Sequence, residues 1–393
     1  MRYLSLILIS LVVLTANSCA RVESLPAPKV HGNSFEILSN SRYSVHSGFS
    51  GELPRQVLAN VLWAMARAPK IGSYREFYVA TPANVYRYDE HAHALALQRA
   101  GDHRATASSA FEVGIAGESD IEVGCATQAG LLAGTAFLDS TGGNVVSCPM
   151  ARPAGVADTA WRTRQPLKIV CVYGAMAADG LKRDVLARPS DSSLSMPRVD
   201  GPDTFELLLK RLHQDSVFQS ADVPMSSISQ ILWAGYGVTP HSVSRGKQGL
   251  TVPSATARYF LAGRIYLVNE KGVMRYHNRL PPGTDATTSD HRLEVVGTED
   301  RRTQLRRACP GLPASAPDYI VVCTADTLAP WAVQEAGYVG FQYLIQAEQL
   351  GLGGCLSSGF SPAEQKAIVG SLGLSDTDVP VLVFTLGRPR THQ

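Results

Sequence analysis

Apolar residues recur along this chain at two spacings, and each predicts its own kind of element. Ile228, Ile231 and Leu232 fall at helical intervals behind Ser226 and Ser227, which predicts an amphipathic helix with a serine cap. Arg264–Val268 and Tyr319–Cys323 are short apolar runs rich in β-branched residues, as buried strands are. Val333 to Leu350 carries a helical pattern that Gly351-Leu352-Gly353-Gly354 stops, and Val379–Leu386 predicts a last strand. The pattern is also written twice. Residues 35–64 align without a gap on residues 205–234, with eight identities in thirty positions: Phe35-Glu36, Leu38, Ser50, Pro54 and Leu62-Trp63-Ala64 against Phe205-Glu206, Leu208, Ser220, Pro224 and Leu232-Trp233-Ala234. A second match sets Val85-Tyr86-Arg87-Tyr88-Asp89 against Val273-Met274-Arg275-Tyr276-His277. The period is too long for a solenoid and predicts a domain duplicated and fused.

Each copy predicts two helices, three strands, a long helix and a final strand, an α+β architecture with a mixed sheet flanked by helices. The first repeat is expected over residues 33–188 and the second over 204–393. Residues 189–203, rich in Pro, Ser and Asp, are expected to link them. At 393 residues, with 45% hydrophobic and 18% charged, the chain suits two well-buried cores.

Composition changes the picture in three places. Arg2 followed by the apolar run Tyr3–Leu14 predicts an export signal over residues 1–20, too short to span a bilayer. Cleavage after Ala20 and lipidation of Cys19 are both open, since Ala16-Asn17-Ser18-Cys19 resembles a lipobox; either way a periplasmic or membrane-anchored protein is expected. With a net charge of +2 and basic pairs only at Arg301-Arg302 and Arg306-Arg307, which suit a solvated helix face, nucleic acid is not expected as a partner. Cys125, Cys148, Cys171, Cys309, Cys323 and Cys355 form no C-x-x-C pair, so isolated thiols are the first expectation, although an oxidising compartment permits disulfides. His91, His93 and His103 lack the carboxylate or cysteine spacing of a metal site, so no metal is expected.

Leu232-Trp233-Ala234-Gly235-Tyr236-Gly237, Thr251-Val252-Pro253-Ser254-Ala255, Glu335-Ala336-Gly337, Gln342, Leu350-Gly351-Leu352-Gly353 and Leu386-Gly387-Arg388-Pro389 follow one another in the second repeat. Together they resemble the flavin-dependent nitroreductase family, most of all its branch of SagB-type dehydrogenases. In the first repeat Arg42-Tyr43-Ser44-Val45-His46 resembles the family's Arg-x-Ser-x-Arg element, and Pro69-Lys70 stands where its Pro-Ser loop is expected. Members are usually homodimers with FMN at the interface, so the resemblance implies an intrachain pseudo-dimer with two unequal flavin sites.

An FMN phosphate needs cations and hydroxyl donors converging on its oxygens. Arg42, Ser44 and His46 supply them in the first repeat; their counterparts Leu212, Gln214 and Ser216 do not. Pro253, Ser254 and Ala255 keep the ring-facing loop that Pro69-Lys70-Ile71 has lost. The better halves therefore combine into one composite site, with Arg258 as a further anion ligand. Gly387 and Arg388 are also carried over as flavin-binding residues, on the reciprocal side. Arg211 and His213 are the candidates to compensate for Leu212. Tyr236, Tyr259 and Phe260 are candidate substrate walls or plain core; Trp63 and Trp233 are read as packing.

The resemblance implies two-electron transfer between flavin and a small-molecule or peptide substrate, with NADH or NADPH among the candidate donors; no catalytic residue is assigned. The alternative is an exported, non-catalytic binding protein of the same fold that has lost its flavin.

Overall fold

The computed structural model describes residues 22–49, 52–137, 144–150, 154–177, 180–185, 194–243, 247–278, 290–325 and 329–390; the expected export signal, Cys19 and part of the expected linker lie outside them. The first half opens with β1 (Val22–Ser24), α1 (Phe35–Ser41) and α2 (Arg55–Arg67), followed by β2 (Arg75–Ala80), β3 (Asn84–Asp89), β4 (Ala94–Ala100) and β5 (Phe111–Gly117). A long helix α3 (Asp120–Thr135) leads to β6 (Asn144–Met150), α4 (Ala154–Trp161) and β7 (Leu167–Met176). The second half runs α5 (Phe205–Arg211), α6 (Met225–Tyr236), a hairpin of β8 (Val238–Val243) and β9 (Lys247–Leu250), then β10 (Ile265–Asn269), β11 (Gly272–His277), β12 (Arg292–Gly297), α7 (Arg302–Ala308), β13 (Asp318–Thr324), α8 (Pro330–Gln349), β14 (Gly353–Ser358), α9 (Pro362–Leu372) and β15 (Val379–Gly387).

The two sheets have the same topology. The first is ordered β1-β4-β3-β2-β5-β7-β6 and the second β12-β11-β10-β13-β15-β14, so β2 to β7 correspond to β10 to β15 one for one. Among the described residues their ladders are antiparallel throughout, and parallel pairing is confined to an isolated Ser44–Ser147 bridge. The sheets are therefore antiparallel rather than mixed: α3 and α8 cross from β5 to β6 and from β13 to β14 over the intervening β7 and β15, which return antiparallel between them.

The helix starts repeat as well. Ser34 accepts the Ile37 N–H and Thr204 the Leu207 N–H, each satisfying an orphan donor of its helix. Pro54 and Pro224 stand at the N-caps of α2 and α6, so Ser226 and Ser227 lie in the first turn instead of capping it. A proline there has no N–H to leave unsatisfied. The two half-openings also touch: Ser34 bridges Thr204, and the Phe35 and Phe205 rings stack at 6.5 Å. The four arginines expected on a solvated helix fall in and just before α7, where Arg302 pairs with Asp300 at 2.7 Å.

One hydrophobic core runs through both halves, and α3 and α8 cross at its centre. The crossing is reciprocal. A Cβ at Gly124 would run into the Gln334 carbonyl and come within 2.8 Å of Gly337 Cα; a Cβ at Gly337 would run into the Ile121 carbonyl and come within 2.9 Å of Gly124 Cα. Backbone meets backbone there, which glycine alone permits. Trp63 and Trp233 belong to this core, with Arg67 lying 4.2 Å over the Trp63 ring and the Trp233 N–H bonded to the Val238 carbonyl. Cys125, Cys148, Cys171, Cys309, Cys323 and Cys355 carry free thiols.

Gly337→Ala is expected to cost about 3 kcal/mol of unfolding free energy, because the obstacle is main chain and cannot swing aside. Gly370→Ala, on the exposed side of α9 with nothing within 4 Å of the new methyl, should instead be stabilising by roughly 0.5–1 kcal/mol. Urea unfolding of both variants checks the contrast.

Candidate functional site

Arg42 sits at the C-cap of α1, 4% exposed, and reaches across to the other half. Its Nε donates to the Thr251 carbonyl at 3.1 Å, its Nη2 to the Leu250 carbonyl at 2.9 Å, and its Nη1 to Ser44 Oγ at 3.2 Å. Thr251 O also accepts from Gln128 of α3 at 3.3 Å and from Gln342 of α8 at 3.2 Å. One carbonyl thus gathers donors from three helices and both repeats. Among the described residues no carboxylate pairs with Arg42. Burial lowers it to about 10, which leaves it charged at neutral pH. Buried charges are ordinarily neutralised, and here three of five guanidinium N–H groups are bonded, all to neutral oxygens.

The surroundings of Arg42 are rich in donors and poor in acids. His241 of β8 lies against Tyr43 with ring centroids 5.3 Å apart, and its Nε2 is buried without a partner. Burial first, then Arg42 and Lys182, push His241 down to about 4, so the imidazole is neutral. The Lys182 main chain is tied in by Ser41, whose Oγ accepts the Lys182 N–H at 2.9 Å, and by Asn40, which donates to the Lys182 carbonyl. The Arg42 guanidinium, the Ser44 hydroxyl and the His241 imidazole together form a donor set that suits an anionic group.

The segment that begins at Thr251 continues into the Pro-Ser loop. Pro253 is buried and Ser254 half-buried, whereas Ala255 and Arg258 are exposed. Thr256, Ala257 and Tyr259 all take positive φ, at 52°, 52° and 56°. Three non-glycine residues in the left-handed region within four positions store strain that the surroundings must hold. Ser254 Oγ accepts the Tyr259 N–H at 2.7 Å, and Lys247 donates to the Ala257 carbonyl at 2.9 Å. Beneath the loop, Glu335 of α8 accepts from Tyr236 Oη at 2.5 Å, and that oxygen in turn accepts the Leu261 N–H at 3.2 Å. Tyr236 and Tyr259 meet edge to face at 6.5 Å and are buried; Phe260 is half-buried.

The reciprocal position is filled by the chain itself. Gln214 accepts the Leu356 N–H at 2.8 Å, and the Asp215 side chain occupies the space beside Gly353, 2.8 Å from where a Cβ would stand. Arg211 is held between Asp203 at 2.6 Å and Glu348 at 3.0 Å, and His213 lies 3.3 Å from Asp215. Arg211 and His213 are therefore committed to acids that would repel a phosphate, and they do not stand in for Leu212. On the opposite wall, Glu122 of α3 binds the Ile71 amide at 2.7 Å and pairs with Arg75 at 3.4 Å inside the core.

The structure thus brings Arg42 and Ser44 together with the segment leading into Pro253 and Ser254. It leaves His46 and Arg258 on the surface. Gly387 is paired opposite Gly353 and packs on Phe218 and Pro317, and the exposed Arg388 gives its carbonyl to Gln219; both belong to the reciprocal position, away from Arg42. His241, Lys182 and Gln128 are the residues that sequence reasoning missed. His241 and Lys182 come from a hairpin and a loop with no repeat partner, so the alignment carried no signal for them. A Ser–His–Tyr set, Ser229, His291 and Tyr276, is buried and saturated: Ser229 Oγ donates to the Ser195 carbonyl at 2.8 Å and takes the His291 Nε2 hydrogen at 2.8 Å, which leaves no nucleophile.

Residues 216–388, most of the second repeat, match the sequence pattern of the family described as the Nitroreductase family. The whole chain is similar to a protein assigned as a nitroreductase from Anabaena variabilis, 12% identical with a TM-score of 0.62 over 91% of this chain and 100% of that one. That single chain shares the two-repeat fold. A nitroreductase-assigned protein from Ralstonia eutropha is 21% identical over 55% of this chain and 97% of its own, with a TM-score of 0.39. An FMN-dependent nitroreductase from Clostridium difficile is 14% identical over 47% of this chain and 88% of its own, with a TM-score of 0.34. No protein of curated function matches the chain.

His241 is neutral when folded and basic when unfolded, so its contribution to stability is present above pH 6.5 and lost as the pH falls towards about 4. Urea unfolding at pH 7.0 and 5.0 should show a drop in stability, and His241→Gln should make that drop smaller.

Proposed function

We propose that the chain is an FMN-dependent oxidoreductase of the SagB-type branch, with one flavin held between its two halves. The observation that carries this reading is the Arg42 guanidinium, buried without a carboxylate against the Leu250 and Thr251 carbonyls where the Pro-Ser loop begins. Arg42, Ser44, Lys182 and His241 would hold the phosphate, and Pro253 and Ser254 would face the ring. When bound, the flavin supplies two-electron transfer to a small-molecule or peptide substrate. The chain's own part is to fix the loop, exclude water and concentrate donors at the phosphate. The blocked reciprocal position supports a stoichiometry of one.

The visible absorption spectrum of the purified chain, before and after adding FMN, tests this. One flavin per chain is expected. Absence of bound flavin and of any uptake would favour the non-catalytic reading instead. Arg42→Ala should weaken FMN binding by about 1.5–3 kcal/mol, the value of a charge-assisted bond. Arg211→Ala should change it by less than about 0.5 kcal/mol. Fluorescence titration of both variants measures the difference, and equal losses would sink the single-site reading.

A further inference from the structure

Glu122 and Glu335 are structural equivalents with opposite surroundings. The reciprocal contact of Gly124 with Gln334 and of Gly337 with Ile121 fixes the correspondence of α3 and α8, and it sets Glu122 opposite Glu335. Each carboxylate points from the central helix into the loop between the second helix and the sheet of its own repeat. Glu122 binds the Ile71 and Gly72 amides and has Arg75 as a counter-cation, both side chains 1% exposed. Tyr78 and Tyr266 hold the same place in the two sheets, opposite Arg87 and Arg275, so the position matching Arg75 is Gly263, and the neighbouring Arg264 is turned to Asp378.

Glu335 is therefore a fully buried carboxyl that, among the described residues, pairs with no cation. Oε1 accepts from Tyr236 Oη, while Oε2 is buried without a hydrogen-bond partner. Ser254 and the Phe260 and Leu261 amides bear on the same carboxyl and favour its charged form, but none closes a bond on Oε2. Burial outweighs them and pushes the group up to about 7. The titratable groups that face it are Tyr236 from α6 and Tyr338 from its own helix; Tyr338 is also near Arg42, the nearest cation of the site. A neutral acid suits this pocket, because its O–H can donate towards Ser254 while the other oxygen still accepts from Tyr236.

We propose that Glu335 is a positioning residue of the composite site, holding the strained loop 253–261 in place as a neutral acid. Loss of the proton leaves a buried charge beneath Ser254 with no counter-cation among the described residues and loosens the wall that faces the ring. The inference rests on the flavin reading for its consequence but not for its mechanism. If the ligand binds only to the closed loop, apparent affinity scales with the protonated fraction, which falls about tenfold between pH 6 and pH 8.

The test is FMN affinity at pH 6 and pH 8 for the wild type, Glu335→Gln and Glu335→Ala. The wild type should weaken about tenfold, Glu335→Gln should stay near the pH 6 value at both, and Glu335→Ala should be weak at both. A wild type that binds FMN equally at both pH values, or a Glu335→Gln variant that keeps the wild-type pH profile, overturns the proposal. If no variant binds FMN, the flavin reading falls, and thermal unfolding decides the role of Glu335. A folded carboxyl raised above its unfolded value stabilises below about 4.5 and loses that contribution as the pH rises through about 7. The wild type should then lose melting temperature between pH 6 and pH 8 relative to Glu335→Gln, and parallel profiles would refute the proposal.

Discussion

The approach of α3 to α8 governs everything else in the molecule. Two glycines let the helix backbones touch, and that distance sets where each half's loops and side chains fall against the other. Gln128 and Gln342 reach one carbonyl from opposite helices only because their axes are this close. Arg42 spans the boundary with two bonds for the same reason. A side chain at the crossing would wedge the sheets apart and pull the guanidinium off its acceptors, so packing and recognition share one geometric condition.

Once the halves are docked, electrostatics separates them. Among the described residues the Arg42 guanidinium pairs with no acid, whereas the region around Arg211 has Asp203, Asp215 and Glu348. The two stand at equivalent places of the same fold, yet Arg42 is bonded to neutral oxygens and Arg211 to carboxylates. A buried cation bonded only to neutral oxygens is costly to the fold, and that cost is what supports the proposal of an anionic partner beside Arg42.

The elements were largely legible in the sequence and the site only partly so. Strong apolar periodicity gave the long helix α8 and strands β10, β13 and β15 to within a few residues. The gapless alignment carried α1 and α2 onto α5 and α6. Strands β4 and β12 and helices α4 and α9 were missed, because they are half-exposed and short, and their patterns are diluted by polar residues. Arg42, Ser44, Pro253 and Ser254 were found since they sit in motifs. His241 and Lys182 were not, because their importance arises from folding that brings unrelated segments against α1. Gly387 and Arg388 match a motif well, but the topology carries them to the far end of the second sheet.

The covalent join of the two repeats has a consequence for how such a molecule can change. In a symmetric dimer every substitution appears twice, so losing an anion ligand empties both cavities together. Here Leu212 and Gln214 alter one cavity and leave Arg42 and Ser44 untouched. Each half can therefore change alone, Arg42 standing beside Ser44 while Leu212 occupies the matching position. Duplication followed by fusion thus gives the chain something no pair of identical subunits has, a spare copy of each wall that is free to be rebuilt.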